Sequence, residues 1–113
     1  MTSRNAWSLE GARALLVDVR AKTECAVAEV DQLEQRRREI VPGSEEDSGV
    51  EQALRQTVST WVRAMEALGV DAKGAWLVDF DTGSGYYCWR WPERELEYFH
   101  GYDVGFASRI RIQ

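Results

Sequence analysis

Apolar and small residues recur at alternating three- and four-residue steps through Leu9, Ala12, Leu16, Val19, Thr23, Ala26, Val30, Leu33, Arg37 and Ile40. That spacing keeps one stripe of a helix turned toward a partner, the heptad pattern of a packed seam. Ser8 precedes it with a hydroxyl able to accept from an orphan N–H, and Glu10 places a carboxylate at the positive end of the helix dipole. Pro42 disfavours helical geometry at Val41 and Gly43 can take a positive φ, so the first helix is predicted from Ser8 to near Ile40. A second seam runs through Val50, Leu54, Thr57, Trp61, Ala64 and Leu68, with Val58 and Met65 widening it and Gly69 as the C-cap. The short connection makes the two helices antiparallel neighbours. They would span about 50 Å (Ser8 to Ile40) and about 31 Å (Ser48 to Leu68), leaving part of the first seam without an intramolecular cover. A second copy of the chain, giving a homodimer through the helical hairpin, is the simplest cover, and the terminal β-region folding back is the other.

After Gly69 the period changes. Trp76–Phe80, Tyr86–Trp91 and Leu96–His100 are short runs of aromatic and β-branched residues, each predicted as a strand, with turn residues at Asp81–Gly85 and Pro92–Arg94. Ile110-Arg111-Ile112 alternates like a final edge strand. The prediction is an α+β protein in one domain over 1–113: a helical hairpin over 8–69 packed with an aromatic-rich, three- to four-stranded antiparallel meander and tail over 70–113. The register of the second hairpin has two solutions. With a three-residue loop Tyr86, Cys88, Tyr98 and His100 share a face; with a four-residue loop His100 joins Tyr87 and Trp89 instead.

Composition narrows the function classes. A chain of 113 residues with net charge −5 has room for one core, and its acidity offers no long-range attraction to a phosphate backbone, so no nucleic-acid partner is expected. No apolar run approaches the roughly 20 residues of a membrane span, and the start, Met-Thr-Ser-Arg-Asn-Ala-Trp, lacks a signal-peptide core, so the expected compartment is the cytoplasm with no membrane partner. Cys25 and Cys88 form no close pair or cluster, which argues against a disulfide framework or zinc ribbon. Cys25 beside Ala26 reads as a small core hydrophobe. The Glu34–Glu39 run, basic at its centre, reads as a solvated, dipole-compensating face, and Glu45–Asp47 as exposed loop before the second helix, without the spacing of a calcium loop.

Gly69-Val70, Lys73, Leu77-Val78-Asp79-Phe80, Cys88-Trp89-Arg90, Glu93, Phe99-His100, Asp103, Gly105-Phe106 and Arg109 fall in the order and nearly the spacing of a prokaryotic family, domain of unknown function 2203, which the chain resembles over most of its length. The segment Cys88–Arg109 carries the most specific part. The resemblance implies a shared fold and site and no assigned reaction. Three positions depart from the pattern: Pro92 stands at a usual glycine, Gly101 at a usual acidic residue, and the first hairpin loop is shortened.

Two readings of the polar residues follow. The functional one makes Cys88, His100 and Asp103 a mixed N/S/O site for zinc or iron, open to a small-molecule ligand, with Asp79, Trp89, Arg90, Glu93 and Arg109 as ligand-binding or supporting groups. Whether such a site is catalytic is left open, and a Cys88 nucleophile with His100 as base lacks any feature that would activate the thiol. The structural one makes the chain a non-catalytic dimerisation or interaction module, with His100 hydrogen-bonded, Cys88 a buried small residue, and Asp79 paired with Arg109.

Overall fold

The computed structural model describes residues 6–113, and the first five residues of the chain start read above lie outside them. The elements are α1 (Leu9–Arg37), α2 (Glu45–Ala67), β1 (Asp71–Gly74), β2 (Leu77–Asp81), β3 (Tyr86–Arg90), β4 (Tyr98–His100) and β5 (Ile110–Arg111), with a 3-10 turn at Phe106–Ser108. The class is α+β: a helical hairpin and an antiparallel sheet in the order β1-β2-β3-β4-β5. The meander therefore has five strands rather than three or four. The strand without a sequence signal is β1, whose Asp-Ala-Lys-Gly has little β propensity; pairing of Asp71 with Asp79 and Ala72 with Val78 makes it a strand.

Ser8 caps α1 by accepting from Gly11 N–H at 3.0 Å. The helix ends at Arg37, short of Ile40, and α2 begins at Glu45, ahead of Ser48. The cause is a reciprocal cap. Ser44 accepts from Asp47 N–H at 3.1 Å, while Asp47 accepts from Gly43 N–H at 2.9 Å and from Arg37 Nε at 2.9 Å. The acidic residues Glu45–Asp47 are thus a helix first turn and not a loop, and Arg37 is a clamp across the hairpin. With 29 and 23 residues the helices span about 43 and 35 Å, so their mismatch is less than half that expected from sequence.

Asp47 is held below the ordinary carboxylate range, first by the Gly43 N–H and then by Arg37, and Arg37 is correspondingly raised by Asp47. A carboxylate with a depressed folded-state pKa contributes stability above its unfolded value of about 3.9, and that contribution disappears as pH falls through the folded value. The parent's melting temperature is therefore expected to fall more steeply below about pH 4 than that of Asp47→Asn, whose amide does not titrate; parallel acid limbs in the two proteins would show that the clamp does not couple to folding.

Gly69, at φ 91, ends α2 in a Schellman motif: its N–H bonds to Glu66 O at 3.0 Å and that of Val70 to Met65 O at 3.2 Å, with buried Val70 and Met65 supplying the apolar contact. This turn launches the sheet back over the helices. Val78, Phe80, Trp89 and Leu96 pack on Ala12, Leu16 and Val19 of α1 and Trp61 and Met65 of α2. Thr23, the buried polar position of the first seam, accepts from Trp61 Nε1 at 2.8 Å and donates to Val19 O at 2.7 Å, which satisfies both buried groups. Cys25 is exposed, not part of this core: one residue from a seam position is a rotation of about 100°, enough to turn it outward. No helix among the described residues is long and apolar enough to cross a membrane.

Candidate metal centre

Strand register decides which polar groups meet. β2 and β3 pair Asp79 with Cys88 and Asp81 with Tyr86, and β3 and β4 pair Cys88 with Tyr98 and Tyr86 with His100. Asp79, Cys88 and His100 therefore lie on one face of three adjacent strands, opposite the face that carries Val78, Phe80 and Trp89. This is the face sharing of the three-residue-loop solution, reached through a longer connection between β3 and β4. That connection is anchored at Glu93. Its backbone N–H bonds to Arg90 O at 2.9 Å, its Oε1 accepts from Arg90 N–H at 2.9 Å, and its carbonyl accepts from Trp89 Nε1 at 2.8 Å and Arg20 Nε at 3.2 Å.

A sheet face turned away from the helices would ordinarily be wet, yet Cys88, Asp79 and His100 are only 1%, 3% and 4% exposed. Tyr86, with Lys73 over its ring, packs on His100, and the segment after β4 lies against this same face. Tyr102 donates to Asp81 Oδ1 at 2.6 Å and packs edge-on against Tyr86, and the Arg109 guanidinium lies between the rings of Tyr98 and Phe106, 4.1 and 4.0 Å from their centroids.

Within this enclosure one ligand atom each from Asp79, Cys88 and His100 lies within 4.8 Å of the others. His100 Nδ1 is 2.9 Å from Gly101 O and Nε2 is 3.1 Å from Asp79 Oδ2. Since a carbonyl only accepts, Nδ1 carries the hydrogen, and the lone pair of a neutral ring sits on Nε2, facing Asp79. Among the described residues Asp79 Oδ1 is buried without a hydrogen-bond partner. The Cys88 thiol is pushed up to about 12, chiefly by burial and then by the Asp79 charge, with Arg109 opposing. Such a thiol stays protonated at neutral pH, which removes the support for a free Cys88 nucleophile.

The other sequence-selected residues divide. Asp103 is exposed in the turn after β4 and stands outside the buried group, which takes its carboxylate from Asp79 instead. Trp89 points into the helix-side core. Arg90 is exposed and lies 5.2 Å from the Phe106 ring centroid. The expected Asp79–Arg109 pair is replaced: Arg109 makes a bidentate pair with Glu93, at 3.1 and 2.8 Å, and Asp79 faces His100. Gly101 contributes its carbonyl, which any residue possesses, and a Cβ there would meet nothing within 4 Å. An acidic side chain at that position would begin in open space, so the departure at Gly101 subtracts no group from the buried cluster. The parts invisible to sequence reasoning were this carbonyl and the Tyr98–Phe106 sandwich; the aromatic and arginine spacing was the available signal for the latter.

Comparison with known proteins gives one family. The model of an uncharacterized conserved protein family (DUF2203) matches residues 5–112, nearly the whole chain. No curated protein and no solved structure matches.

Proposed function

The chain belongs to the DUF2203 family, and we propose that it binds one zinc or iron ion between β2, β3 and β4 through Asp79, Cys88 and His100. The observation that carries this reading is the convergence of a carboxylate, a thiol and an imidazole nitrogen within 4.8 Å at a dry point. The orphan Oδ1 of Asp79 and the Nε2 lone pair that faces the Asp79 carboxylate are what an incoming cation would satisfy. Tetrahedral zinc with these donors needs ligand separations of about 3.3 to 3.6 Å, so the Nε2–Oδ2 contact would open by a few tenths of an ångström and no other ligand pair would close by more than about 1.5 Å. The soft sulfur donor favours zinc or iron over magnesium or calcium. Three protein ligands leave a fourth position for water or a small-molecule ligand, the arrangement of a reactive rather than a purely structural site. The hairpin and sheet share one core, which supports treating them as a single domain whose helices hold the sheet that carries the site.

The alternative, a non-catalytic module dimerising through the hairpin, draws on the second half of the α1 seam, where Ala26, Val30 and Leu33 are only half-buried. One experiment separates the two: elemental analysis and native mass spectrometry of protein purified without chelator or histidine tag, beside His100→Ala and Cys88→Ser. Near-stoichiometric metal in the parent, absent from both variants, is the expected result. A dimer that takes up no zinc, cobalt or ferrous iron even on titration would overturn the metal reading in favour of the second.

A further inference from the structure

We propose that the segment Gly101–Arg109 is a gate over the Asp79, Cys88 and His100 group, held shut by the Arg109–Glu93 ion pair. This deepens the metal reading, on which it rests only for what passes the gate; the opening itself is a property of the metal-free protein.

The segment is hinged between two paired strands, since β4 ends at His100 and β5 begins at Ile110. Between those hinges its backbone bonds, Val104 N–H to Gly101 O, Ser108 N–H to Gly105 O and Arg109 N–H to Phe106 O, stay within the segment. It is therefore attached to the sheet by side chains, and Tyr102 and Val104 in its middle are 47% and 45% exposed. Few buried apolar contacts and no ladder bonds are the features of segments that open locally without global unfolding. The holds are two. Tyr102 to Asp81 is an exposed hydrogen bond, worth little against water. Arg109 to Glu93 is bidentate, and its guanidinium is wedged between Tyr98 and Phe106.

The two sides of this latch differ in rigidity. Glu93 is fixed to the body of the protein through Arg90, Trp89 and Arg20. Arg109 sits at the end of the hinged segment and releases with it. Arg109 is also the cation that acts on Cys88, so the group that closes the gate is the one beside the most buried ligand.

The test uses Cys25→Ser protein, in which Cys88 is the only thiol, and follows its labelling by a small neutral maleimide in the presence of chelator. Glu93→Gln keeps the backbone anchors and removes the charge of the latch; it should label about tenfold faster than the parent at a temperature well below melting. Leu16→Ala, which weakens the core without touching the tail, should label at the parent's rate under the same conditions. In cobalt-loaded protein, Glu93→Gln should surrender the ion to a chelator faster by a similar factor, with unchanged stoichiometry. Labelling of Glu93→Gln at the parent's rate, or an equal rise in Leu16→Ala, overturns the gate. If the parent binds no cobalt, the metal reading fails alone and the thiol labelling still decides the gate. Should Glu93→Gln not fold, Tyr102→Phe removes the other hold and is expected to give a smaller rise, with no rise overturning the proposal.

Discussion

Asp79→Asn protein should fold with a stability within about 1 kcal/mol of the parent and still lose roughly a hundredfold in metal affinity. The reason is the proton inventory of the site. With the hydrogen of a neutral His100 ring on Nδ1, Nε2 and Asp79 Oδ2 are two acceptors at 3.1 Å, and the contact holds only with a proton or a metal cation between them. An asparagine amide turned to donate satisfies Nε2 without either. It also removes a buried carboxylate whose Oδ1 has no partner. Asp79→Ala, by contrast, leaves Nε2 buried and unpaired beside a small cavity and should cost about 3 kcal/mol. Urea unfolding in chelator, set beside metal competition, measures both quantities. If Asn proves as damaging as Ala, the imidazolium–carboxylate pair is what the fold requires, and the structural network becomes the better account.

That test bears on Asp79, whereas sequence reasoning had favoured Asp103, and the difference shows where legibility stopped. The heptad steps placed both helices to within three residues at the hairpin end. The error there came from Asp47, whose cap to Gly43 and clamp to Arg37 are side-chain events that no apolar period records. Strands β2, β3 and β4 were legible from their aromatic and branched residues; β1 was not, because an edge strand of Asp, Ala, Lys and Gly exists only through its neighbour. Cys88 and His100 were correctly brought to one face by one of two registers. The connection that accompanies the register adopted is tied down by bonds to Glu93 from Trp89 and Arg20, which no local pattern records. Asp103 stands near His100 in sequence, but a strand's closest lateral neighbours come from other strands, and the register pairs Asp79 directly with Cys88. The same limit applies to Arg109, whose partner Glu93 lies 16 residues away on a connection rather than on the sheet.

The residue packed against the β4 backbone at His100 is a glycine, and its replacement should be the most damaging small change in the sheet. Gly85 is buried where β3 leaves the first hairpin turn, and an added Cβ would collide with the Phe99 ring and lie 2.9 Å from His100 O. The demand here is space, since Gly85 is not among the positive-φ glycines. Relief requires Phe99 to leave its place across the turn or the β4 backbone at His100 to retreat, and the second movement drags the imidazole from Asp79. Overpacking of this kind costs about 2 to 3 kcal/mol, or roughly 10 °C of melting temperature for a chain of this size. Two neighbours calibrate the result. Gly83, at φ 92 with open space around it, should lose about 1 kcal/mol on change to Ala through backbone strain alone. Gly101, with open space and an ordinary φ, should lose almost nothing. Phe99→Leu, which shortens the obstructing ring, should restore part of the stability of Gly85→Ala, a coupling expected only of groups in contact. Melting temperatures of the three alanine variants in the order Gly101, Gly83, Gly85, with metal affinity reduced in the last alone, would establish that the turn is packed to hold His100 in place. A Gly85→Ala protein as stable as Gly101→Ala would mean that β4 moves freely, and that the alignment of Nε2 with Asp79 is not set by the sheet.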